Sequence, residues 1–447
     1  MVEDFDDLKK ESYRWNCFSK IDTEGVFSLS SFTIGLENIE LRDIESIDYE
    51  GIYLNLHEEI SSDDYFKAKR LLPLIIHEFT HFIDATSTLW GAKHMTLIND
   101  GYAATQGREG DLYKCKLLFD HFKRLSFPDY YNVVNKSNGT SISWKWSLTC
   151  GREFGHHGKI TDKPILFVRF LTLSDNEIVR KPLSILSLLE TTAMAQEFNA
   201  KSRLINQLRE GREAEAAILE RETLEYIYDP ELTEYSVCTH LLANTQGCED
   251  VGVSLKSAAM LARIVLNAPD SVFTRMRSNL SVYIKKFRLR NDDEVVRELK
   301  RSLKNLNYGA LYYLLVILLP KGSVSSARAM QDGIKLSMKS YGIDINDYFR
   351  NSDDQFYKLN DALMNSNMPS IVRLSVAGRK NHGVINKYVD SLPMNTLHLP
   401  SVYLGDLNQH NFFPLEDSVF KDYNVDIMFD ELSVKNKFIT DFGDGCL

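Results

Sequence analysis

Between residues 71 and 89 the chain carries an apolar run, Leu71, Leu72, Leu74, Ile75, Ile76, Phe79, Phe82 and Ile83, interrupted by His77, Glu78 and His81. The spacing predicts a mostly buried helix reaching about residue 89, with the polar cluster Ser61, Ser62, Asp63 and Asp64 as its cap. Pro73 predicts a kink or a fresh helix start inside it. Buried imidazoles and carboxylates cost about 1–3 kcal/mol each when unsatisfied. A helix of this kind therefore demands an internal partner for its polar residues, and that demand limits what can be packed around it.

Residues four apart lie on one helix face, so His77 and His81 can reach one metal ion together. Glu78 sits at the side of that face, within reach of a water on the metal, where it would serve as a general base without being a ligand. With 11 His in 447 residues, a chance HExxH is expected in roughly one such chain in fifty. The apolar setting adds weight, because a zinc ion and its water would satisfy all three side chains. The bland alternative is a polar stripe facing a water-filled cleft.

HEFTH on an apolar helix resembles the active-site helix of the zincin metallopeptidases. The extended metzincin form calls for a glycine and a third histidine where this chain has Asp84 and Ser87, so the resemblance does not extend to that branch. It implies a gluzincin-like arrangement, with a zinc cofactor and a third ligand from a later helix. The segment from Leu188 to Glu197 has helical periodicity and places Glu190 and Glu197 on one face. Glu190 as ligand, with Glu197 orienting an imidazole from behind, follows the gluzincin pattern. The exchanged roles, or another donor, stay open. Asp84 shares the His77 and His81 face and is a second candidate to orient an imidazole. For a developing oxyanion, Tyr235, His240, His156 and His157 are candidates, each of them more often structural. His57 and His94 flank the helix without a ligand spacing.

The expected fold is α+β: a mainly helical zincin-like metallopeptidase domain with a small sheet over residues 1–250, and a mainly helical region over 251–447 that frames the cleft or binds partners. Strands are expected within 27–41, 52–56 and 165–173, helices over 111–126, 183–208 and 213–228, and loops over 128–163, rich in glycine. Pro182 is expected to open a helix, residues beyond Gly247 to be mainly helical as far as about 390, and the last 55 or so irregular or mixed.

A net charge of −10 argues against nucleic acid as a partner. No run reaches the roughly 18 apolar residues of a membrane span, so no membrane partner is expected. The N-terminus, MVEDFDDLKKESYRWN, lacks the apolar core of a signal peptide, and the six cysteines show no CxxC pair. A cytoplasmic location with reduced thiols is the expectation. No P-loop or GxGxxG is present. The functional expectation is a zinc-dependent peptidase, with Zn2+ held by His77, His81 and Glu190, Glu78 as the base toward the attacking water, a peptide or protein as substrate, and a regulatory protein as a further candidate partner. The alternatives are a zinc hydrolase of a non-peptide amide or ester, and a non-catalytic interaction protein on the same scaffold.

Overall fold

The computed structural model describes residues 25–446, apart from 55–59, 106, 126, 136–143, 156–157, 208–212 and 387–390. The fold is α+β and mainly helical. The chain forms two compact units that are interleaved in sequence rather than consecutive. The first comprises residues 1–126, 196–220 and 356–447, and the second 127–195 and 221–355. Among the described residues no single helix is long and apolar enough to cross a membrane.

The first unit is built on the HEFTH helix, Ser62–Ser87. Ser61 caps it, its side chain accepting from the Asp64 N–H at 3.1 Å, and Asp63 and Asp64 place negative charge at the positive end of the helix dipole. The helix runs through Pro73 without a new start. Proline costs an interior helix one backbone donor, and burial on both sides of Pro73, with Leu71, Leu72, Ile75 and Ile76 all nearly inaccessible, holds the element together.

A four-stranded sheet packs on this helix in the order β1 (Val26–Phe27), β2 (Ile34–Leu36), β7 (Val402–Leu404) and β8 (Gln409–His410). The β2–β7 pair is parallel and the other two are antiparallel. The sheet thus joins the two ends of the described chain. A strand was expected within 52–56, but residues 52–54 close the helix Tyr49–Leu54, and 55–56 lie outside the described residues. Tyr49, Ile52 and Tyr53 are the buried residues of this helix along with Gly51, and the i, i+3, i+4 spacing of the large ones is helical. The C-terminal stretch, expected to be irregular or mixed, contains the long helix Val425–Gly445. Its buried stripe passes through Ser433, Asn436, Thr440 and Gly443, which thins the apolar signal.

Helices meet the end of the HEFTH helix at glycines. A Cβ on Gly91 would lie 2.5 Å from the carbonyl oxygens of Asp84 and Ala85, and one on Gly378 would lie 2.2 Å from that of Thr86. The helix Leu89–Ala104 and the helix Pro369–Ile385 thus reach the HEFTH backbone itself.

The second unit holds an antiparallel sheet in the order β3 (Val133–Val134), β6 (Glu177–Pro182), β5 (Ile160–Leu171) and β4 (Lys145–Phe154), followed by helices. Much of the stretch expected as loop is the β4–β5 hairpin. Gly151 fits a strand because the Phe167 ring lies over it, 2.8 Å from where a Cβ would be. Pro182 ends β6 rather than opening a helix, and the helix starts three residues later, at Ile185.

Gly378→Ala is expected to lower stability by about 1–3 kcal/mol, because the new methyl meets backbone that cannot step aside. Gly383, in the same helix with open space around it, provides the control: Gly383→Ala should be neutral or stabilise by about 0.4–1 kcal/mol. Urea unfolding of both variants checks the pair, and equal midpoints would contradict the close approach.

Candidate metal centre

His77, Glu78 and His81 project from the middle of the HEFTH helix, with relative exposures of 6, 4 and 1%. The two imidazoles face each other, with Nε2 atoms 3.0 Å apart and rings edge-on at 79°. Two Nε2 atoms at that separation accommodate one shared proton or one cation between them.

The helix Ile185–Asn206 brings the acidic partners. His77 Nδ1 lies 3.0 Å from Glu197 Oε2, and Lys201 Nζ lies 2.6 Å from the other oxygen, Oε1. Burial alone would raise the Glu197 carboxyl, but the Lys201 ammonium and the His77 hydrogen bond outweigh it and bring it down to about 2. Glu197 is therefore a carboxylate, and His77 Nδ1–H donates to it. This fixes the neutral tautomer of His77, with the lone pair on Nε2, aimed at His81. Lys201 was not singled out in the sequence. Its i, i+4 spacing from Glu197 was the available signal.

Glu190 lies seven residues before Glu197 on the same unbroken helix, two turns away on the same face. It is 1% exposed. His77, His81 and Glu190 each offer a ligand atom, and these atoms all lie within 4.8 Å of one another. Tetrahedral zinc with Zn–N of about 2.0–2.1 Å separates its ligand atoms by about 3.3 Å. The 3.0 Å between the imidazole nitrogens is close to that value. Two histidines and a glutamate form one of the donor sets of catalytic zinc, and three protein donors leave a fourth position for water or substrate. The residues fit the ion.

Strand β1 and the residue before it cover the site. The Phe27 ring is stacked on His81 with centroids 6.3 Å apart. A Cβ on Gly25 would lie 3.0 Å from Glu78 Oε1 and 2.8 Å from Leu74 Cδ1, so only glycine lets the backbone come this near the carboxylate. Neither residue carried a sequence signal, since their proximity depends on how the sheet packs on the helix.

The remaining candidates divide. Asp84 is fully buried on the HEFTH helix, but the carboxylate that holds His77 comes from Glu197. His240 is stacked on Trp144 at 4.7 Å, and its Nε2–H donates to the Ile227 carbonyl at 2.8 Å, a core placement. Tyr235 packs its ring against Tyr226. His94 donates from Nε2 to the Leu29 carbonyl at 2.9 Å. His57, His156 and His157 lie outside the described residues. No protein-family model, curated protein or solved structure matches this chain.

Purified protein is expected to carry one equivalent of a divalent metal, zinc foremost, by elemental analysis, and His81→Ala should lose it. Glu197→Gln should keep the stoichiometry and weaken affinity by about 10- to 100-fold in chelator competition, the usual effect of removing an orienting carboxylate. Unchanged affinity in Glu197→Gln would mean that the His77 tautomer is set by something else.

Proposed function

We propose that this chain is a zinc-dependent metallohydrolase acting on peptide bonds, with a gluzincin-like active site. The observation that carries the reading is the buried His77, His81 and Glu190 group, with Glu78 beside it on the same helix. His77 and His81 would hold the ion through Nε2. Glu190 is the better third donor, since both oxygens of Glu197 are engaged, one by Lys201 and one by His77. A divalent ion in this position supplies Lewis acidity toward a carbonyl and makes water acidic near neutral pH.

The chain's own residues have distinct tasks. Glu197 holds His77 in the tautomer that leaves Nε2 free of a proton, and Lys201 keeps Glu197 ionised. Glu78 has the chemistry of a proton carrier: its carboxylate can take a proton from the attacking water and deliver it to the leaving amine. Gly25 and Phe27 close one side and limit bulk water there, which strengthens each of these electrostatic contacts.

Glu78→Gln separates metal binding from chemistry. The variant should retain its metal, because Glu78 is not a donor, and lose about 10²- to 10⁴-fold in hydrolysis. Both proteins would be incubated with a proteome-derived peptide mixture and new termini counted by mass spectrometry. Equal cleavage by the two would remove Glu78 from the reaction. Full metal occupancy with no new termini from the native protein would defeat the peptidase reading.

A further inference from the structure

Strand β4, Lys145–Phe154, is ten residues long and forms the outer edge of its sheet. Its pairing with β5 determines which backbone groups face outward. The Leu166 carbonyl accepts from the Leu183 N–H, away from β4, so the pair Cys150 and Leu166 exchanges no hydrogen bonds. Pro164, opposite Arg152, has no N–H to offer β4 and obeys the same alternation. In an antiparallel ladder bonded and non-bonded pairs alternate. The N–H and C=O groups of Trp146, Leu148, Cys150 and Arg152 therefore project from the open side. Among the described residues no group bonds to them. The pairing with β5 is regular from Lys145 to Arg152 and shifts register only between Arg152 and Phe154, and an edge of this length without proline is a template for another strand.

We propose that β4 pairs antiparallel with β4 of a second copy of this chain, about a two-fold axis at Thr149. The occupant follows from the sequence of the strand, which is complementary to itself in this register. Lys145 comes opposite Glu153 of the second copy, and Trp146 comes opposite its Arg152, an ion pair and a cation–π contact, each made twice. Leu148 comes opposite Cys150, and Thr149 opposite Thr149. The backbone agrees with the side chains. The pairs 146 with 152 and 148 with 150 use only outward-facing groups, so four bonded pairs form across the axis. Moving the axis one residue sets Lys145 opposite Gly151, or Glu153 opposite Ser147, and loses the ion pair, while Arg152 comes opposite Trp144, which is buried against His240, or opposite Leu148. Lys145 and Arg152 also have partners within the chain, Asp175 at 3.2 Å and Glu298 at 3.0 Å. The first is an exposed pair worth little, and the Arg152 guanidinium has further donors. Because the interface is isologous, it closes at a dimer and does not propagate into a fibre.

Full-length protein should sediment as a dimer at about 50 µM and dissociate on dilution. Thr149→Cys, made together with Cys17→Ser and with Cys446→Ser, which removes the one exposed thiol among the described residues, should cross-link into a disulfide dimer on mild oxidation, because a non-bonded antiparallel pair sets Cα atoms about 4.5 Å apart. Glu153→Cys in the same background faces lysine and should not cross-link. Lys145→Glu places like charges opposite each other twice and should weaken the dimer about tenfold or more. Lys145→Glu with Glu153→Lys should restore it. A monomer at about 50 µM, a dimer indifferent to Lys145→Glu, or a dimer whose Thr149→Cys form fails to cross-link would each overturn the proposal.

Discussion

The hydrogen bond from His77 Nδ1 to Glu197 is the interaction on which the candidate centre depends. Without it His77 could carry its proton on either nitrogen, and the ring could turn. With it, the Nε2 lone pair is directed into the 3.0 Å gap toward His81. The Lys201 ammonium, 2.6 Å from the same carboxylate, keeps the acceptor charged despite its burial. A surface lysine, a half-buried carboxylate and a buried imidazole thus form one chain of charge-assisted contacts, each setting the protonation state of the next.

Because Glu190 and Glu197 belong to one helix, the candidate donor and the carboxylate that holds His77 move together. Any shift of that helix along its axis changes the Glu190 position and the His77 hydrogen bond in the same step. The burial of Glu190 makes this coupling energetically significant. A carboxylate removed from water costs several kcal/mol unless cations or donors compensate it, so the helix position is tied to whatever supplies that compensation. The dense packing at Gly91 and Gly378 acts on the other half of the pair, anchoring the end of the HEFTH helix to neighbouring helices by their backbones.

The HEFTH helix was legible in the sequence because its apolar spacing and its cap agree, and Ser61 and the buried Leu, Ile and Phe residues occupy the places that spacing assigns. The acidic helix was legible as an element, and its face as the one bearing Glu190 and Glu197. The division of roles between them was suggested only by the resemblance to gluzincins, not by the spacing. Two residues seven apart are equivalent to a helical periodicity, and only the positions of His77 and Lys201 distinguish them. The β4–β5 hairpin escaped because glycine in a strand reads as a loop unless the cross-strand ring that covers it is known, and Phe167 lies sixteen residues from Gly151. The segment 52–56, read as a strand, is too short for strand and helix periods to differ decisively. Gly25 and Phe27 come to the site through the sheet, whose strands are gathered from opposite ends of the described chain, and no local pattern encodes that.

Three other buried histidines show what the pair at 77 and 81 would look like if it were only structural. His94 stacks on Trp90 at 5.2 Å, donates from Nε2 to the Leu29 carbonyl, and receives His121 on Nδ1 at 2.8 Å. His240 stacks on Trp144 and donates to the Ile227 carbonyl. His382 lies flat on Phe356 at 3.8 Å, donates from Nδ1 to the Ser87 carbonyl, and accepts from Asn386 on Nε2. Each satisfies the backbone with one nitrogen and rests on an aromatic face. Burial lowers His94 and His240 to about 4, so both are neutral spacers at physiological pH. His77 and His81 follow a different plan. One is held by an ionised carboxylate instead of a peptide carbonyl, and the two direct nitrogens at each other beside a third acidic group. A carboxylate partner makes an imidazole more basic than a carbonyl does and so a stronger donor to a cation. Within one chain, His94, His240 and His382 are arranged to pack, whereas His77 and His81 turn nitrogens toward each other and toward an acidic group.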